Sequence, residues 1–349
     1  MKVGIVGLPN VGKSSLFNLL TAGNARVDLY PFTTIEQNVG VVLVPDERLD
    51  QIARILRPDK ATPAHVEFVD IAGLVKGAST GEGLGNKFLG HIREADLVLH
   101  LVRAFTAGNI PHVLETIDPD RDAAIVEAEM AVADLAIVDK RLEHVRKEPK
   151  TPEQQVLLET LGHLHSALAR GERPVLSAER SRFARDLGLI LTKPAIYAAN
   201  CSDTAPADPS QFPAIAARTN LLFSAALEAG MSDFAEPDRV ELRRSLNLAP
   251  EGPAGIITRC FEALRLIRFY TVKGTESRAW AAPAGTTALE AAFLIHTDIG
   301  NGFIKAEVVN HRDLVACGDF HVCRDQGHVK VEGKTYVVQD GDVLLVKFR

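Results

Sequence analysis

Residues 2–20, "KVGIVGLPNVGKSSLFNLL", decide the fold of this chain. The stretch begins with a short apolar run typical of a buried strand, and residues 7–14 fit the pattern G-x-x-x-x-G-K-[ST]. A helical pattern follows, with Leu16, Leu19 and Leu20 on one face. Because a strand, a glycine loop and a helix in this order form a phosphate-binding loop, the stretch predicts an α/β P-loop nucleotide-binding domain.

The residue types in this loop indicate its chemistry. Gly7 and Gly12 allow the backbone to curl so that its N–H groups point at phosphate oxygens. Lys13 is expected to reach the β- and γ-phosphates and to act in catalysis, and the Ser14 hydroxyl is expected to bind Mg²⁺. The predicted phosphate-binding residues are Asn10, Val11, Gly12, Lys13, Ser14 and Ser15.

A second motif supplies the other side of the predicted metal site. Residues 65–77, "HVEFVDIAGLVKG", combine a strand pattern with D-x-x-G. Asp70, at the end of a strand beside the P-loop, would hold Mg²⁺ through water, and the Gly73 N–H would sense a γ-phosphate. In the intervening "YPFTTIEQNVG" (30–40), Thr34 is the expected second contact to Mg²⁺ and the γ-phosphate; a plain surface threonine is the alternative.

Residue 74 bears on hydrolysis. Many switch GTPases carry a glutamine after the D-x-x-G glycine, where it orients the attacking water. Here the residue is Leu74, whose side chain offers water neither a donor nor an acceptor. Hydrolysis is therefore expected to be slow, or to be aided by another group, a cation or a partner; an arginine supplied by a partner is worth about 10³–10⁵ in rate.

The base of the nucleotide is expected at residues 195–203, "AIYAANCSD", a buried strand with a polar tip. GTPases use N-K-x-D at this place, where the asparagine supports the P-loop and the aspartate accepts hydrogen bonds from guanine. Asn200 and Asp203 match this pattern, but the lysine is absent. Ser224 and Ala225 fit the S-A-x loop that closes over the base, so the tip is expected to hold a purine.

The pattern changes at Asp118, which is an expected helix N-cap followed by Pro119 at the first helical position. Apolar residues then recur at spacings of three and four until "EPKTPEQ" (148–154) interrupts them, and the pattern resumes afterwards. Two antiparallel helices joined by a short turn are predicted over 118–171. The pattern leaves two interpretations of this pair: a purely structural hairpin, or a protruding arm that engages a partner.

Length and composition set broader limits. A chain of 349 residues is expected to form two or three domains, and its net charge of −6 argues against a general nucleic-acid coat. Residues 265–349 alternate like β structure and carry 11 Lys and Arg against 10 Asp and Glu, a mild signal for an RNA-binding surface.

The absence of a signal-like start and of an apolar run of spanning length predicts a cytoplasmic protein without a membrane partner. The four cysteines lack C-x-x-C spacing and are expected to be reduced thiols.

Four long strings carry a family resemblance: "GLPNVGKSS", "YPFTTIEQNVGVVLVPDERLD", "FVDIAGLVKGASTGEGLGNKFLGHIREAD" and "RAWAAPAGTTALEAAFLIHTDIGNGFIKAEVV". Together they resemble the Obg-like ATPases of YchF type, in the translation-factor class of P-loop NTPases, over essentially the whole chain. The resemblance implies a P-loop domain over 1–117 and 172–264. It also implies an inserted antiparallel helical coiled coil over 118–171 and a C-terminal TGS domain of ubiquitin-like β-grasp fold over 265–349.

The resemblance further implies Mg²⁺-dependent hydrolysis of ATP, often in preference to GTP, and association with ribosomes, with RNA as a further partner of the TGS domain. A hydrophobic residue after D-x-x-G is a family trait, which Leu74 matches. In related translation GTPases an asparagine at the place of Asn10 helps to bind K⁺; an asparagine that stabilises its own turn is the alternative.

One departure leaves the base open. The family motif usually ends in glutamate, whereas this chain has Asp203. A carboxylate at the purine edge favours guanine, while the missing lysine and the family preference favour adenine, so ATP, GTP or both are expected. The alternative functions are a GTP-specific switch and a nucleotide-gated ribosome- or RNA-binding module with negligible hydrolysis.

Overall fold

The structure is a computed structural model that describes residues 1–22, 38–71, 84–107, 110–148, 151–273 and 275–349. The described residues form two compact units. The first comprises those within 1–22, 38–40 and 67–256, and the second those within 41–66 and 257–349. No helix among the described residues is both long enough and apolar enough to cross a membrane.

The strands of the first unit belong to a six-stranded sheet. Its order is β2-β4-β1-β5-β6-β7. The strands are β1 (Lys2–Val6), β2 (Val39–Leu43), β4 (His65–Asp70), β5 (Leu97–Ala104), β6 (Ala195–Cys201) and β7 (Leu222–Phe223). The pairs β1–β4, β1–β5, β5–β6 and β6–β7 are parallel. Because parallel strands bring their carboxyl ends to one edge, the residues after β1, β4, β5, β6 and β7 meet there, as in other P-loop folds.

Helices flank this sheet. They are α1 (Lys13–Ala22), α3 (Leu84–Glu94), α4 (Pro119–Val145), α5 (Pro152–Ala169), α6 (Ala178–Asp186), α7 (Pro213–Ala216), α8 (Ala225–Gly230) and α9 (Glu236–Ser245), with α10 (Pro253–Ala263) leading into the second unit. The predicted P-loop α/β fold is confirmed at this level. Strand β5, in the middle of the sheet, is buried along all but its last residue, as its apolar sequence predicts.

The helices α4 and α5 form the predicted antiparallel pair. Asp118 caps α4, and Thr151 caps α5 by accepting a hydrogen bond from the Gln154 N–H. The Gln154 side chain, early in α5, donates to the carbonyl of Glu148 at 3.0 Å, and His165, later in α5, lies 3.3 Å from Asp139 of α4. The contact partners thus move backward along the chain, from Glu148 to Asp139, as α5 proceeds from Gln154 to His165, so the two helices are antiparallel.

The first half of α4 lies against the rest of the α/β unit. The buried Asp134 carboxylate accepts hydrogen bonds from the backbone N–H groups of Ile190 and Leu191, at 2.9 and 2.8 Å. Burial raises the pKa of Asp134 to about 6, although these two hydrogen bonds lower it. Residues 118–148 and 151–171 group with the rest of the first unit, and the boundary of the predicted insertion at 118 stays a prediction.

The second unit is built on a mixed sheet in the order β11-β10-β12-β8-β9-β3. Its strands are β3 (Lys60–Thr62), β8 (Leu266–Lys273), β9 (Glu276–Pro283), β10 (Phe303–Asn310), β11 (Lys330–Glu332) and β12 (Asp342–Phe348). Its helices are α2 (Glu47–Leu56), α11 (Ala288–Ile295), α12 (Thr297–Asn301), α13 (His311–Cys317) and α14 (Phe320–Asp325). The pairs β8–β9, β10–β11 and β10–β12 are antiparallel, and β8–β12 and β3–β9 are parallel.

The second unit departs from the predicted division in two respects. Residues 257–264, predicted to close the P-loop domain, group with this unit. Residues 41–66, also predicted as part of the P-loop domain, group with it too. The physical reason is pairing across the chain: β3 joins the edge of the sheet beside β9, and the Thr62 hydroxyl donates to Glu276 at 2.7 Å. The aliphatic residues Leu49 and Ile52 of α2 are also buried in a cluster of this unit. The three-part division itself stays a prediction.

Candidate nucleotide-binding site

The P-loop geometry requires glycine at two positions. Gly7 and Gly12 have φ angles of +154° and +99°, in the region that favours glycine. A Cβ atom on Gly7 would lie 2.4 Å from the carbonyl oxygen of Leu101, and one on Gly12 would lie 2.4 Å from Nδ2 of Asn200. The loop between β1 and α1 is therefore packed so closely that no side chain fits at either glycine.

Lys13, the first residue of α1, points back into this loop. Its Nζ donates to the carbonyl oxygens of Gly7 and Leu8, at 3.2 and 2.8 Å, and its side chain is buried. Burial lowers the pKa of Lys13 to about 8, while the charge of Asp70 acts in the opposite direction. The loop therefore holds a partly desolvated ammonium group, which a phosphate would neutralise.

Ser14 and Asp70 come together although 56 positions separate them in the chain. The Ser14 hydroxyl donates to Oδ2 of Asp70 at 2.6 Å. A hydroxyl and a carboxylate are hard oxygen donors of the kind that Mg²⁺ prefers, so the residues present fit this ion. Among the described residues there is no group of three His, Cys, Asp or Glu side chains that would form a protein-only metal site.

These residues face a cavity of about 910 Å³. Its lining comes from the P-loop and α1, from the segment after β5, and from the ends of β6 and α8. The lining residues are Asn10, Gly12, Lys13, Ser14, Ser15, Asn18, Leu19, Ala22, Phe105, Thr106, Ala107, Ile110, Asn200, Cys201, Asp203, Ala225, Ala226 and Ala229. This volume lies in the range expected for a cofactor or nucleotide pocket, about 300–1,000 Å³.

Asn200 joins the phosphate end of the cavity to the base end. It is buried, and its Nδ2 donates to the carbonyl oxygen of Val11 in the P-loop at 3.0 Å. Its Oδ1 accepts from the backbone N–H of Ala225, the first residue of α8, also at 3.0 Å. One amide side chain therefore fixes both segments, which is the supporting role expected of this asparagine.

The other predicted base-binding residues differ in their burial and in whether they line the cavity. Asp203 is exposed, whereas Ala225 is buried, and both line the cavity. Ser224 is fully buried, and its Oγ accepts a hydrogen bond from the Leu227 N–H as the N-cap of α8. The Ser224 hydroxyl begins this helix, and Ser224 is not among the residues that line the cavity, so its contact with a base stays a prediction.

Behind α8 lies a buried ion pair. Arg243 donates through Nε and one terminal nitrogen to the two carboxylate oxygens of Glu228, at 2.8 and 2.9 Å. It also donates to Glu236, and these carboxylates raise the pKa of Arg243 in spite of its burial. Because Glu228 belongs to α8, this pair fixes the helix whose first turn lines the cavity.

Sequence reasoning missed the segment after β5. Phe105, Thr106, Ala107 and Ile110 line the cavity, yet they belong to no recognised motif. The available signal was position alone, because this segment follows a strand next to β1 and must reach the same edge of the sheet.

His100 lies inside β5 and is a core residue, as the apolar strand around it predicts. It is 1% exposed, its ring lies 5.3 Å from the ring of Tyr197, and neither ring nitrogen has a hydrogen-bond partner in the described residues. Burial lowers the pKa of His100 to about 4, so the ring is neutral at pH 7.

Three predicted site residues, Thr34, Gly73 and Leu74, lie outside the described residues. Their roles toward Mg²⁺, the γ-phosphate and the attacking water stay predictions. Val11, by contrast, is buried and takes part in the site through its backbone carbonyl.

Comparisons with known proteins identify the family of this chain. Residues 2–158 match a family model described as 50S ribosome-binding GTPase, and residues 266–349 match the model YchF-GTPase_C, described as a protein of unknown function. The chain is 40% identical over 363 residues to the ribosome-binding ATPase YchF of Bacillus subtilis (strain 168), covering 100% of this chain and 99% of that protein.

It is also 40% identical over 355 residues to the ribosome-binding ATPase YchF of Escherichia coli O157:H7, covering 98% of each. The solved structure of the Schizosaccharomyces pombe YchF GTPase matches with a TM-score of 0.84 and 34% identity, covering 99% of this chain and 97% of that one. With relatives of this identity matched from end to end, the chain belongs to the YchF family of P-loop NTPases.

Proposed function

We propose that this chain is a Mg²⁺-dependent nucleoside triphosphatase that hydrolyses ATP, and also GTP, to the diphosphate and acts on the ribosome. The observation that carries the proposal is the convergence of three features on one cavity: the P-loop with Lys13, the Ser14–Asp70 contact at 2.6 Å, and Asn200. The names of the relatives in Bacillus subtilis and Escherichia coli support both ATP and the ribosome as partners.

In this proposal the loop from Asn10 to Ser15 binds the phosphates through its backbone N–H groups, and the Lys13 ammonium pairs with the β- and γ-phosphates. The Ser14 hydroxyl and Thr34 would bind Mg²⁺, and Asp70 would hold it through water. Bound Mg²⁺ would neutralise negative charge on the phosphate oxygens. Gly73 senses the γ-phosphate through its N–H.

The activation of the attacking water differs from that in many switch GTPases. Leu74 excludes the glutamine mechanism, so the water must be oriented by another group. A K⁺ ion held near Asn10 and a group supplied by the partner are the two candidates. Either would supply charge or orientation at the γ-phosphate, so hydrolysis should be slow when both K⁺ and the partner are absent.

The base would lie between Asp203 and the first turn of α8 at Ala225, with Asn200 holding the two segments together. The aspartate at the purine edge favours guanine. The absent lysine and the named ATPases among the relatives favour adenine. We therefore propose ATP as the main substrate, with GTP as a second one.

The remaining parts would connect the nucleotide to the ribosome. We assign residues 118–171 as a coiled-coil arm and residues 265–349 as a TGS domain of β-grasp fold. The arm and the TGS domain would contact the ribosome, the latter through RNA, in the cytoplasm. The matched model described as a 50S ribosome-binding GTPase supports the large subunit as the partner.

A second function, from a different class, is a nucleotide-gated ribosome-binding module with negligible hydrolysis. The sequence feature that favours it is Leu74, because this residue supplies nothing to the attacking water. In that case nucleotide binding alone would set the ribosome affinity.

Turnover measurements separate the two functions. Phosphate release from ATP and GTP is measured with the purified chain, with and without 70S ribosomes, and with K⁺ or Na⁺ as the monovalent cation. We expect slow basal ATP hydrolysis that ribosomes or K⁺ accelerate, and its loss in Lys13→Ala. Nucleotide-dependent ribosome binding without measurable turnover under any condition would favour the binding module. Unchanged ATP binding by Lys13→Ala would contradict the proposed site.

A further inference from the structure

Arg103, near the end of β5, is a buried cation that faces carbonyl oxygens. Its side chain is 1% exposed. Its Nε donates to the carbonyl of Phe105 at 3.1 Å, and one terminal nitrogen donates to that of Ile110 at 2.9 Å. The other terminal nitrogen donates to the carbonyls of Asn10 and Pro111, both at 3.4 Å.

The four carbonyl groups belong to two separate segments of the cavity wall. Asn10 lies in the P-loop with a φ of +63°, whereas Phe105, Ile110 and Pro111 follow β5. The two segments also meet directly, because Nδ2 of Asn10 donates to the carbonyl of Pro111 at 3.2 Å. Since Asn10, Phe105 and Ile110 line the cavity, Arg103 lies behind the point where the P-loop meets its neighbouring wall.

The shape of the guanidinium suits this position. Its plane presents donors in several directions at once, and its carbon lies 4.4 Å from the centre of the Phe105 ring. A lysine ammonium has one nitrogen at the end of a flexible chain and would not reach the same set of carbonyls.

The charge on Arg103 is balanced differently from that on Arg243. Arg243 is held by both oxygens of the Glu228 carboxylate, whereas every hydrogen-bond acceptor of Arg103 among the described residues is a backbone carbonyl. Burial lowers the pKa of Arg103 and the charge of the Asp122 carboxylate acts in the opposite direction, but no carboxylate is hydrogen-bonded to this guanidinium among the described residues. A buried cation held by carbonyl groups alone is costly to desolvate. Its position between two walls of the cavity suggests a different use.

We propose that Arg103 is a positioning residue for the nucleotide: it sets the Asn10 peptide of the P-loop and the segment at Phe105, Ile110 and Pro111 in one fixed arrangement. This inference rests on the proposed nucleotide site. It also implies that Asn10 and Arg103 maintain the same contact between the P-loop and the segment after β5. The effects of their substitutions on nucleotide affinity should therefore not be additive.

The test measures MgATP affinity by calorimetric titration and thermal unfolding in parallel, using the full chain. The variants are Arg103→Lys, Arg103→Met, Asn10→Ala and the double variant Arg103→Met/Asn10→Ala. Arg173→Met is the matched control. Arg173 is a half-buried arginine that likewise donates to two backbone carbonyls, those of Leu191 and Lys193 at 3.1 Å each, and it also pairs with Glu127 at 3.4 Å. Unlike the contacts of Arg103, none of these three residues lines the cavity.

We expect both Arg103 variants to weaken MgATP binding about tenfold or more, because the P-loop and the segment after β5 would no longer be held in the arrangement that binds the nucleotide. Arg173→Met should lower the unfolding temperature and leave MgATP affinity within about twofold of the wild type. The double variant should bind within about threefold of Arg103→Met alone, because both substitutions disturb the same contact.

Three results would overturn the inference: wild-type affinity in Arg103→Lys, multiplied effects in the double variant, or a loss of affinity in Arg173→Met equal to that in Arg103→Met. If Arg103→Met does not fold, Arg103→Lys and its double variant with Asn10→Ala replace it. Lys13→Ala separates the two proposals. Loss of binding in Lys13→Ala with wild-type affinity in Arg103→Lys would refute the positioning role alone, whereas unchanged binding in Lys13→Ala would refute the nucleotide site.

Discussion

The two ends of the candidate cavity differ in how tightly they are built. At the phosphate end, a Cβ atom on Gly12 would lie 2.4 Å from Asn200, and Lys13 is 7% exposed. At the base end, Asp203 is exposed, and its neighbours Ser202 and Thr204 hydrogen-bond each other at 3.0 Å. A close-packed end tolerates few residue types, whereas an exposed tip tolerates several. Substitutions at the phosphate end should therefore strongly weaken nucleotide binding, and substitutions at the tip should change the base preference little.

The largest expected effect is at the phosphate end. Gly12→Ala would place a methyl group against Asn200 in a backbone conformation that suits glycine. We expect it to destabilise the fold by about 2–4 kcal/mol, from the strained φ and the overpacking together. MgATP affinity should fall about 100-fold or more, since the loop N–H groups would move from the phosphates. Urea unfolding and calorimetric titration measure the two effects.

Gly171→Ala is the matched control for this substitution. Gly171 follows α5 with a φ of +70°, but nothing lies within 4 Å of a Cβ at this position. It should therefore show the conformational penalty alone, about 1–2 kcal/mol, with unchanged MgATP affinity. Equal losses of stability and of MgATP affinity in the two variants would mean that the phosphate end is not close-packed. The proposed difference between the two ends of the cavity would then be wrong.

The phosphate end was predictable from the sequence because local rules specify it. The run from Gly7 to Ser14 needs glycines for its backbone and a lysine and a serine for its chemistry, and these lie within eight positions. The pairing of Ser14 with Asp70 also follows, since a parallel sheet brings both strand ends to one edge. The P-loop α/β fold could be predicted for the same reason.

The base end and the second unit depend on contacts that no local pattern contains. Ser224 could be read as a base contact or as a helix cap, and the structure uses its hydroxyl as the cap. Phe105 and Ile110 line the cavity without belonging to a motif. Residues 60–62 pair with β9, more than 200 positions away, so their membership of the second unit could not be predicted from periodicity.

A substitution at Asn200 tests the connection between the two ends. Asn200→Ala would leave the buried N–H of Ala225 without its acceptor and would free the carbonyl of Val11. We expect a loss of about 2–4 kcal/mol in the free energy of unfolding, as two buried hydrogen bonds are removed. MgATP affinity should fall about tenfold, less than in Gly12→Ala, because the loop glycines are untouched.

Asn310→Ala is the control for Asn200→Ala. Asn310 is the N-cap of α13 in the second unit and accepts a hydrogen bond from the Arg312 N–H at 3.0 Å. Its loss should cost about 1 kcal/mol of stability and leave MgATP affinity unchanged. If Asn200→Ala lost stability but bound MgATP like the wild type, the two ends of the cavity would be independent of each other.

The smallest expected effect is at the exposed tip. Asp203→Glu keeps the carboxylate and lengthens the side chain by one methylene at a surface position, so stability should change by less than about 0.5 kcal/mol. If the tip is adjustable as its exposure indicates, the ratio of ATP to GTP affinity should also change by less than about threefold, with ATP the tighter ligand in both proteins. Paired titrations with non-hydrolysable analogues of ATP and GTP measure this ratio.

The opposite result would change the description of the base end. Tighter binding of GTP by the wild type, reversed in Asp203→Glu, would mean that the Asp203 carboxylate reads the N1 and N2 donors of guanine at a fixed distance. The exposed tip would then tolerate substitution as poorly as the close-packed loop does. The exposure of a site would in that case not indicate how well the site tolerates substitution. Asp203→Asn would locate the cause, because it keeps the length of the side chain and removes the charge. A loss of GTP affinity in Asp203→Asn would assign the preference to the carboxylate, and its retention would assign it to the length of the side chain.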